Sequence, residues 1–204
     1  MRSYSTYKMR GDFVQPLSIR AIRNTAIRVR NELKLPLLPS NMWGLLDTLS
    51  VRYGINYDIV NDNEMPSFCA EACCIPEQAQ IFIPQKAVKA IDAGDRRMMF
   101  TIMHELGHFI LAHRKSFARS RPKPAVFVDS EWQADQFAAE ILMPANVIAD
   151  EQLYDTEQIK KRFSVSHSAA EERRKRLVNE GLIDTRKEVG YVPRAQKTKP
   201  LFMR

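Results

Sequence analysis

Two histidines and a glutamate stand in the middle of an apolar run, TIMHELGHFILAH, at residues 101–113. If this run is an α-helix, His104 and His108 lie on one face, about 6 Å apart along the axis. Two neutral imidazoles placed in this way can bind one cation, and Zn²⁺ accepts such nitrogens at about 2.0–2.1 Å. The spacing therefore predicts a metal site with His104 and His108 as ligands.

Glu105 has the residue type and the position of a general base. It is rotated by about 100° from His104 on a helix, which directs its carboxylate beside the metal. Zinc lowers the pKa of a bound water towards about 7, and a neighbouring carboxylate can then take the proton. A chance H-E-x-x-H is expected in well under about 1% of chains of this length. Gly107 lies in mid-helix, where glycine costs about 1 kcal/mol, so we expect another element to cross closely there.

A catalytic zinc needs a third protein ligand, and the stretch EWQADQFAAEILMP supplies a candidate. Glu131 and Asp135 are four residues apart and share one helical face. Glu131 is predicted to bind the metal. Asp135 is predicted to accept the free N–H of a ligating histidine, His104 in the simplest arrangement, and so to fix its tautomer.

Two other histidines are weaker candidates for a ligand. His113 lies five residues after His108, about 140° around the same helix, so its side chain is expected to point elsewhere. His167 lies in a polar stretch and is expected to be exposed. Both of them, and Tyr154, can donate a hydrogen bond to an oxyanion, but the sequence does not choose among the three.

The other elements must position these side chains. Hydrophobic periodicity and capping residues predict helices, including a break at Gly94–Asp95. They are expected over 18–33, 41–54, 85–113, 131–143 and 156–181. Residues 55–60 alternate as a strand, and the runs ACCI and IFI around PEQAQ suggest a hairpin. Helices around a small, mostly antiparallel sheet give an α+β fold.

Composition and charge limit the class of protein. The chain has 204 residues, of which 45% are hydrophobic and 27% charged, as in soluble globular proteins. No run approaches the roughly 20 apolar residues of a membrane span, and the N-terminus lacks the apolar core of a secretory signal, so a cytoplasmic location is expected. Cys69, Cys73 and Cys74 make a poor disulfide framework and suit a reducing compartment. The net charge of +7 permits attraction to nucleic acid without demanding it.

HELGH followed by EWQADQFAAEILMP resembles the ImmA/IrrE family of zinc metallopeptidases. Members of that family carry HExxH and then an acidic helix of the form E-x-E-A-N/D-x-F-A-A-x-L-L-M-P. The resemblance extends over about residues 20–180. It implies a zincin-like fold with an active-site HExxH helix and a C-terminal helical element that resembles a helix-turn-helix, with Val165-Ser166 at the turn. The chain departs from the pattern at Gln133, where the family has a second acidic residue; the E-x-x-x-D spacing still favours Glu131 as the ligand.

The resemblance also implies an activity. It indicates a cytoplasmic endopeptidase with one Zn²⁺ per chain that cleaves a specific regulatory protein, such as a helix-turn-helix repressor of a prophage or a stress response. Mn²⁺ or Fe²⁺ could occupy the same ligand set in the cell. A substrate peptide could lie as an added strand along the edge formed by ACCIPEQAQIFI.

Four regions are expected along the chain. They are an irregular segment at 1–17, the zincin-like domain at 18–148, the C-terminal helical element at 149–182 and a basic tail at 183–204. The run EERRKR at 171–176 is interpreted as a solvated helix face. The alternative to an enzyme is a non-proteolytic zinc protein that binds a repressor, a toxin–antitoxin partner or DNA through its basic C-terminal region.

Overall fold

The computed structural model describes residues 7–65, 71–113 and 125–184. The helices in these ranges are α1 (Ile19–Glu32), α2 (Met42–Tyr53), α3 (Gln85–Asp92), α4 (Arg96–Ile110), α5 (Ser130–Leu142), α6 (Ala145–Asp150), α7 (Thr156–Phe163) and α8 (His167–Asn179). The strands are β1 (Asn56–Val60), β2 (Cys73–Ile75) and β3 (Gln80–Pro84). Helices surround one small sheet, so the predicted α+β class is confirmed. None of the helices in the described ranges combines the length and the apolar character that a membrane crossing requires.

Capping residues set where the helices begin and end. The side chains of Ser18, Asn41 and Asp95 each accept a hydrogen bond from a backbone N–H in the first turn of α1, α2 and α4. Helix α2 ends at Gly54, whose φ of 66° lies in the left-handed region that glycine adopts without steric cost. The predicted start of α2 at Asn41 and the predicted break at Gly94–Asp95 are both confirmed.

The sheet is mixed, with strand order β1-β3-β2. Strands β2 and β3 pair in antiparallel fashion, which confirms the predicted hairpin. Strand β1 runs parallel to β3, with Tyr57 opposite Ile81. The expectation of a mostly antiparallel sheet was therefore wrong. The hairpin already occupies one edge of β3, and the chain between β1 and β3 is long enough for β1 to join the other edge in the same direction. Within the described ranges, strand β2 is left as an edge of the sheet.

Two clusters of buried apolar side chains form the core. The larger one lies between the sheet and helices α1 to α5, and the smaller one joins the end of α5 to helices α6 to α8. Helix α5 contributes to both. It crosses α4 at Gly107, where a Cβ atom would lie 3.1 Å from the Cα atom of Ala134 and 3.3 Å from Phe137. The predicted close crossing is thus confirmed, and it brings the histidine face of α4 against the first turn of α5.

Charged side chains of the two C-terminal helices form ion pairs along α8 and with neighbouring elements. Helix α7 ends at Ser164, which has a left-handed φ of 53°, and α8 begins after the N-cap Ser166. Glu171 pairs with Lys175 at 2.8 Å and Glu172 with Arg176 at 2.9 Å along α8. Arg173 is buried against Glu140 of α5 at 2.7 Å. These pairs involve Arg173, Lys175 and Arg176 of α8, and DNA binding through this region stays a prediction.

The cysteines differ from what their spacing suggests. Cys73 is disulfide-bonded, whereas Cys74 is a free thiol whose pKa is raised to about 12, first by burial and then by the nearby carboxylates. The expectation of a poor disulfide framework was therefore wrong for Cys73. Cys69 and most of the basic tail, 185–204, lie outside the described residues.

Candidate metal centre

The structure brings together the three side chains that the sequence predicts as metal ligands. His104 and His108 come from successive turns of α4, and Glu131 comes from the first turn of α5. The Nε2 atoms of the two histidines are 3.1 Å apart, and they lie 3.2 and 3.3 Å from the two carboxylate oxygens of Glu131. One ligand atom can be chosen from each residue so that no two of the three are more than 4.8 Å apart. This group could hold one metal ion.

The chemistry of the donor set suits a cation. Hydrogen bonds to His104 and His108 lower the pKa of Glu131 well below its usual value. Burial alone would lower the pKa of His104, but its hydrogen bonds to Asp135 and Glu131 outweigh that effect and raise the pKa to about 10. A proton is therefore held where two imidazole nitrogens and a carboxylate converge. Two neutral imidazoles and a carboxylate are a ligand set that zinc accepts.

An ionised pair holds His104 from behind. The Nδ1–H of His104 donates to Asp135 at 2.9 Å, and the guanidinium of Arg10 donates to the other carboxylate oxygen at 2.7 Å. Burial would raise the pKa of Asp135, but His104 and Arg10 lower it below its usual value. An ionised carboxylate can only accept a hydrogen bond, so the proton between His104 and Asp135 is on Nδ1 of His104. Asp135 thus contacts the histidine that the spacing indicates.

His113 adds no atom to the metal set, as expected, but its side chain lies behind His108 instead of turning away from it. Helix α4 ends at Ile110, and Ala112 adopts a left-handed φ of 52°. The helical projection therefore does not extend to His113, whose backbone N–H donates to the carbonyl of His108 at 3.0 Å. This turn places the two Nδ1 atoms 2.9 Å apart. Burial lowers the pKa of His113 to about 4, and the neighbouring His108 acts in the same direction.

Gln133 completes the support behind His113. Its side chain is fully buried, and its Oε1 atom lies 2.9 Å from Nε2 of His113. Its amide nitrogen donates to the backbone carbonyls of Gln15 and Phe127, both at 2.8 Å. The sequence marks Gln133 as a departure from the acidic pattern of the family. The contact with His113 was missed because the turn at Ala112 has no glycine or proline to signal it.

Glu105 lies between the histidines and the edge strand. The backbone N–H of Cys74 in β2 donates to Oε2 of Glu105 at 2.7 Å. Burial raises the pKa of Glu105, against the opposing effect of His104 and His108. A carboxyl group with a raised pKa is better matched to proton transfer near neutral pH than an ordinary one. No described residue donates a hydrogen bond to its other oxygen, Oε1, which can therefore accept a proton in the cleft.

The three converging side chains and Glu105 lie in a cleft of about 710 Å³. The cleft is lined by strand β2 with the residues around it, and also by Asp12 and Val14 of the N-terminal segment. His113 also lines this cleft. Tyr154 and His167, the other two candidates for an oxyanion donor, do not. His167 is exposed, as expected, and its Nδ1 atom lies 2.9 Å from Glu157.

The N-terminal segment is fastened to the start of α5 through Asp129, whose role the sequence did not reveal. Its carboxylate accepts from the hydroxyl of Tyr7 and the backbone N–H of Arg10, both at 2.7 Å, and from the N–H of Gly11 at 3.1 Å. It also accepts from the N–H of Glu131 at 3.0 Å. An aspartate just before a helix predicts an N-cap, but nothing local indicates partners more than a hundred residues away.

An HExxH helix crossed by a second helix that carries a carboxylate and an aspartate defines a metallopeptidase-like domain of the zincin type. Residues 92–175 match the family model described as Peptidase_M78, IrrE N-terminal-like domain. The matched stretch includes both α4 and α5 with the three predicted ligands, and over it the resemblance to the ImmA/IrrE family is confirmed.

No curated protein matches the chain. One similar solved structure is that of a Mycobacterium tuberculosis transcriptional regulator, with a TM-score of 0.46 and 18% sequence identity. The similarity covers 74% of this chain and 46% of that one, so this chain spans less than half of that protein.

Proposed function

We propose that this protein is a zinc-dependent endopeptidase that cleaves a specific regulatory protein. One observation carries the proposal: the donor atoms of His104, His108 and Glu131 converge in an open cleft, with the carboxylate of Glu105 beside them. A zinc ion that only supports a fold is closed off by four protein ligands, whereas a catalytic one keeps an open position. The exposed donor set and the adjacent base fit the second kind.

The residues of the chain divide the work. Zinc, when bound by His104, His108 and Glu131, supplies a Lewis acid that polarises a peptide carbonyl and makes water more acidic. Glu105 takes the proton of the attacking water on its free oxygen and passes it to the departing amine. The N–H of Cys74 holds the other oxygen, so that the carboxylate keeps its orientation throughout. Asp135 keeps the proton of His104 at Nδ1, away from the metal side.

The substrate would bind as an extended peptide. Among the described residues strand β2 is an edge of the sheet, and it lines the cleft, so a substrate segment can lie along it as an added strand. The N–H of Cys74 connects this strand directly to Glu105, which places an added peptide beside the base. The family resemblance supports a transcriptional repressor of a mobile element or a stress response as the substrate, cleaved in the cytoplasm.

Glu105→Gln tests the proposal, because glutamine keeps the shape of the side chain but cannot accept the proton. Zinc-loaded wild type and variant are incubated with a peptide library made from a digested proteome, and new termini are identified by mass spectrometry. We expect the wild type to cleave a defined set of peptides. The variant should bind equal zinc, yet cleave about 10²- to 10⁴-fold more slowly, the usual contribution of a general base.

Glu157→Gln is the matched control, because Glu157 is an exposed acid far from the cleft lining, paired with Lys160 and His167. Its cleavage rate should equal that of the wild type. Cleavage that is as fast in Glu105→Gln as in the wild type would contradict the enzymatic proposal, as would zinc-loaded wild type that cleaves nothing in the library.

A further inference from the structure

We propose that His113 and Gln133 form a neutral hydrogen-bond relay that fixes the tautomer of His108 and aims its Nε2 lone pair at the metal. Both are positioning residues: neither donates an atom to the metal set, and each acts through the next group in the chain. The inference rests on the metal centre of the proposed function and names two residues that the predicted site did not contain.

The direction of the relay follows from groups that can only accept. The carbonyls of Gln15 and Phe127 have no proton to give, so they fix the amide nitrogen of Gln133 on their side. Oε1 of Gln133 then faces His113, and it can only accept. Nε2 of His113 must therefore carry the proton of that hydrogen bond.

Hydrogen-bond direction is fixed on the metal side of His113 as well. A neutral imidazole has one N–H, so Nδ1 of His113 is left with a lone pair and accepts from Nδ1–H of His108 at 2.9 Å. With its proton at Nδ1, His108 presents the lone pair of Nε2 to His104 and Glu131. That is the tautomer in which His108 can bind a metal through Nε2.

Burial holds the relay in one arrangement. Gln133 is 0% exposed and His113 is 8% exposed, so water competes little for their hydrogen bonds. The chain begins on backbone carbonyls of the N-terminal segment and of the residues before α5, which are fixed by the fold. Each donor in it has an acceptor in line, and turning the amide of Gln133 around would set its oxygen against two carbonyl oxygens.

Glutamate would not serve in place of Gln133. A carboxylate at this position would put oxygen against the carbonyl oxygens of Gln15 and Phe127, at the 2.8 Å distances now taken by N–H donors. It would also favour a doubly protonated His113, whose Nδ1 could no longer accept from His108. The amide and His113 are therefore a matched pair, which gives a physical reason for the departure from the acidic family pattern at this position.

The test compares two substitutions of His113 by their zinc affinity, measured in competition with a chelator. His113→Phe removes the acceptor for His108 and should weaken zinc binding by about 10- to 100-fold, as loss of a ligand's hydrogen-bond partner does. His113→Asn should restore most of the affinity, because its Oδ1 atom can take the place of Nδ1 as an acceptor. His167→Phe, which removes an exposed histidine paired with Glu157, should leave the affinity unchanged.

Ring-nitrogen NMR of the zinc-loaded wild type shows which nitrogen of His113 and of His108 carries the proton. A merely structural role of His113 would not fix these positions. We expect His113 to carry its proton at Nε2 and His108 at Nδ1. This measurement needs no variant, so it decides the matter even if His113→Phe fails to fold. Gln133→Leu, which removes the first link but leaves His113 in place, should lower the zinc affinity and allow both tautomers of His113.

Several results would overturn the relay. They are a proton found at Nδ1 of His113, a folded His113→Phe protein that binds zinc as tightly as the wild type, or an asparagine variant as weak as the phenylalanine one. Failure of the proposed function looks different, because the wild type itself would then bind no zinc. A wild type that binds zinc but cleaves nothing would contradict the proposed peptidase activity and would not affect the proposed relay.

Discussion

The two histidines of the metal centre both offer Nε2 to a metal, but charged residues support one of them and uncharged residues support the other. Behind His104 stands an ion pair, Asp135 with Arg10, whereas behind His108 stand two uncharged side chains, His113 and Gln133. Both arrangements keep a proton at Nδ1 and leave Nε2 for the metal. The tautomer of a ligand histidine can therefore be fixed either by charge or by hydrogen-bond direction alone.

The neutral side limits the negative charge of the site. Glu105, Glu131 and Asp135 already bring three carboxylates close to the histidines. A further carboxylate behind His108 would add to their mutual repulsion in a buried place. The charged side is also the more open one, because the side chain of Arg10 is 55% exposed and that of Asp135 is 19% exposed. We therefore expect the two sides to respond differently to substitution, pH and salt.

The largest effect should come from the residue that both sides share. Glu131→Ala removes the carboxylate that contacts both histidines and leaves two ligands, so zinc affinity should fall by more than the roughly 100-fold limit seen for supporting residues. Metal content after dialysis, together with chelator competition, measures the loss. Glu157→Ala, at an exposed position, is the control. A Glu131→Ala protein that keeps one tightly bound zinc would show that the third ligand is another group.

Asp135→Asn should have the next largest effect, and it acts only on the charged side. Asparagine can still accept from His104 but lacks the negative charge, so we expect zinc affinity to fall by about 10-fold or more, within the range for supporting carboxylates. The same variant should lower the pKa of His104, since Asp135 is the first of the groups that raise it. An unchanged affinity would mean that the charge behind His104 adds nothing beyond the hydrogen bond.

The pH dependence of the metal-free protein separates the two sides. The pKa of His104 is raised from 6.5 to about 10. A group whose pKa is raised on folding adds stability that is fully present below its unfolded value and is lost as the pH rises through the folded value. Urea unfolding should therefore show the metal-free protein becoming less stable between about pH 6.5 and 10, and Asp135→Asn should flatten this slope. Zinc displaces the same proton, so its affinity should rise over the same window.

The smallest effect should come from Arg10→Gln. Arg10 is largely exposed, and pairs of this kind contribute about 0–1 kcal/mol, which corresponds to at most about fivefold in affinity. The loss should shrink as salt is added, because the wild-type pair is itself screened. Zinc affinities of both proteins at low and high salt measure it. A loss that is large and independent of salt would contradict this, because it would show that the guanidinium contact with Asp135 contributes more than an exposed ion pair does.

Sequence reasoning succeeded where the signal is local. The spacing of His104 and His108, the N-cap residues and the glycine at 107 all act within a turn or two, and the structure places them as expected. It failed where the backbone changes direction at residues that do not signal a turn. His113 was assigned to a helix that ends before it. The sheet was expected to be mostly antiparallel, yet β1 is parallel to β3, because the direction of pairing depends on the connection between strands rather than on the strand itself.

The fastening of the N-terminal segment to α5 has a consequence for how the protein is made. Tyr7, Arg10 and Gly11 leave the ribosome early, yet the aspartate that secures them, Asp129, is more than a hundred residues behind. Glu131 follows only two residues later. Asp129 and the last ligand are therefore synthesised almost together, and on the nascent chain neither the fastening nor the three-ligand set can form until the start of α5 has emerged.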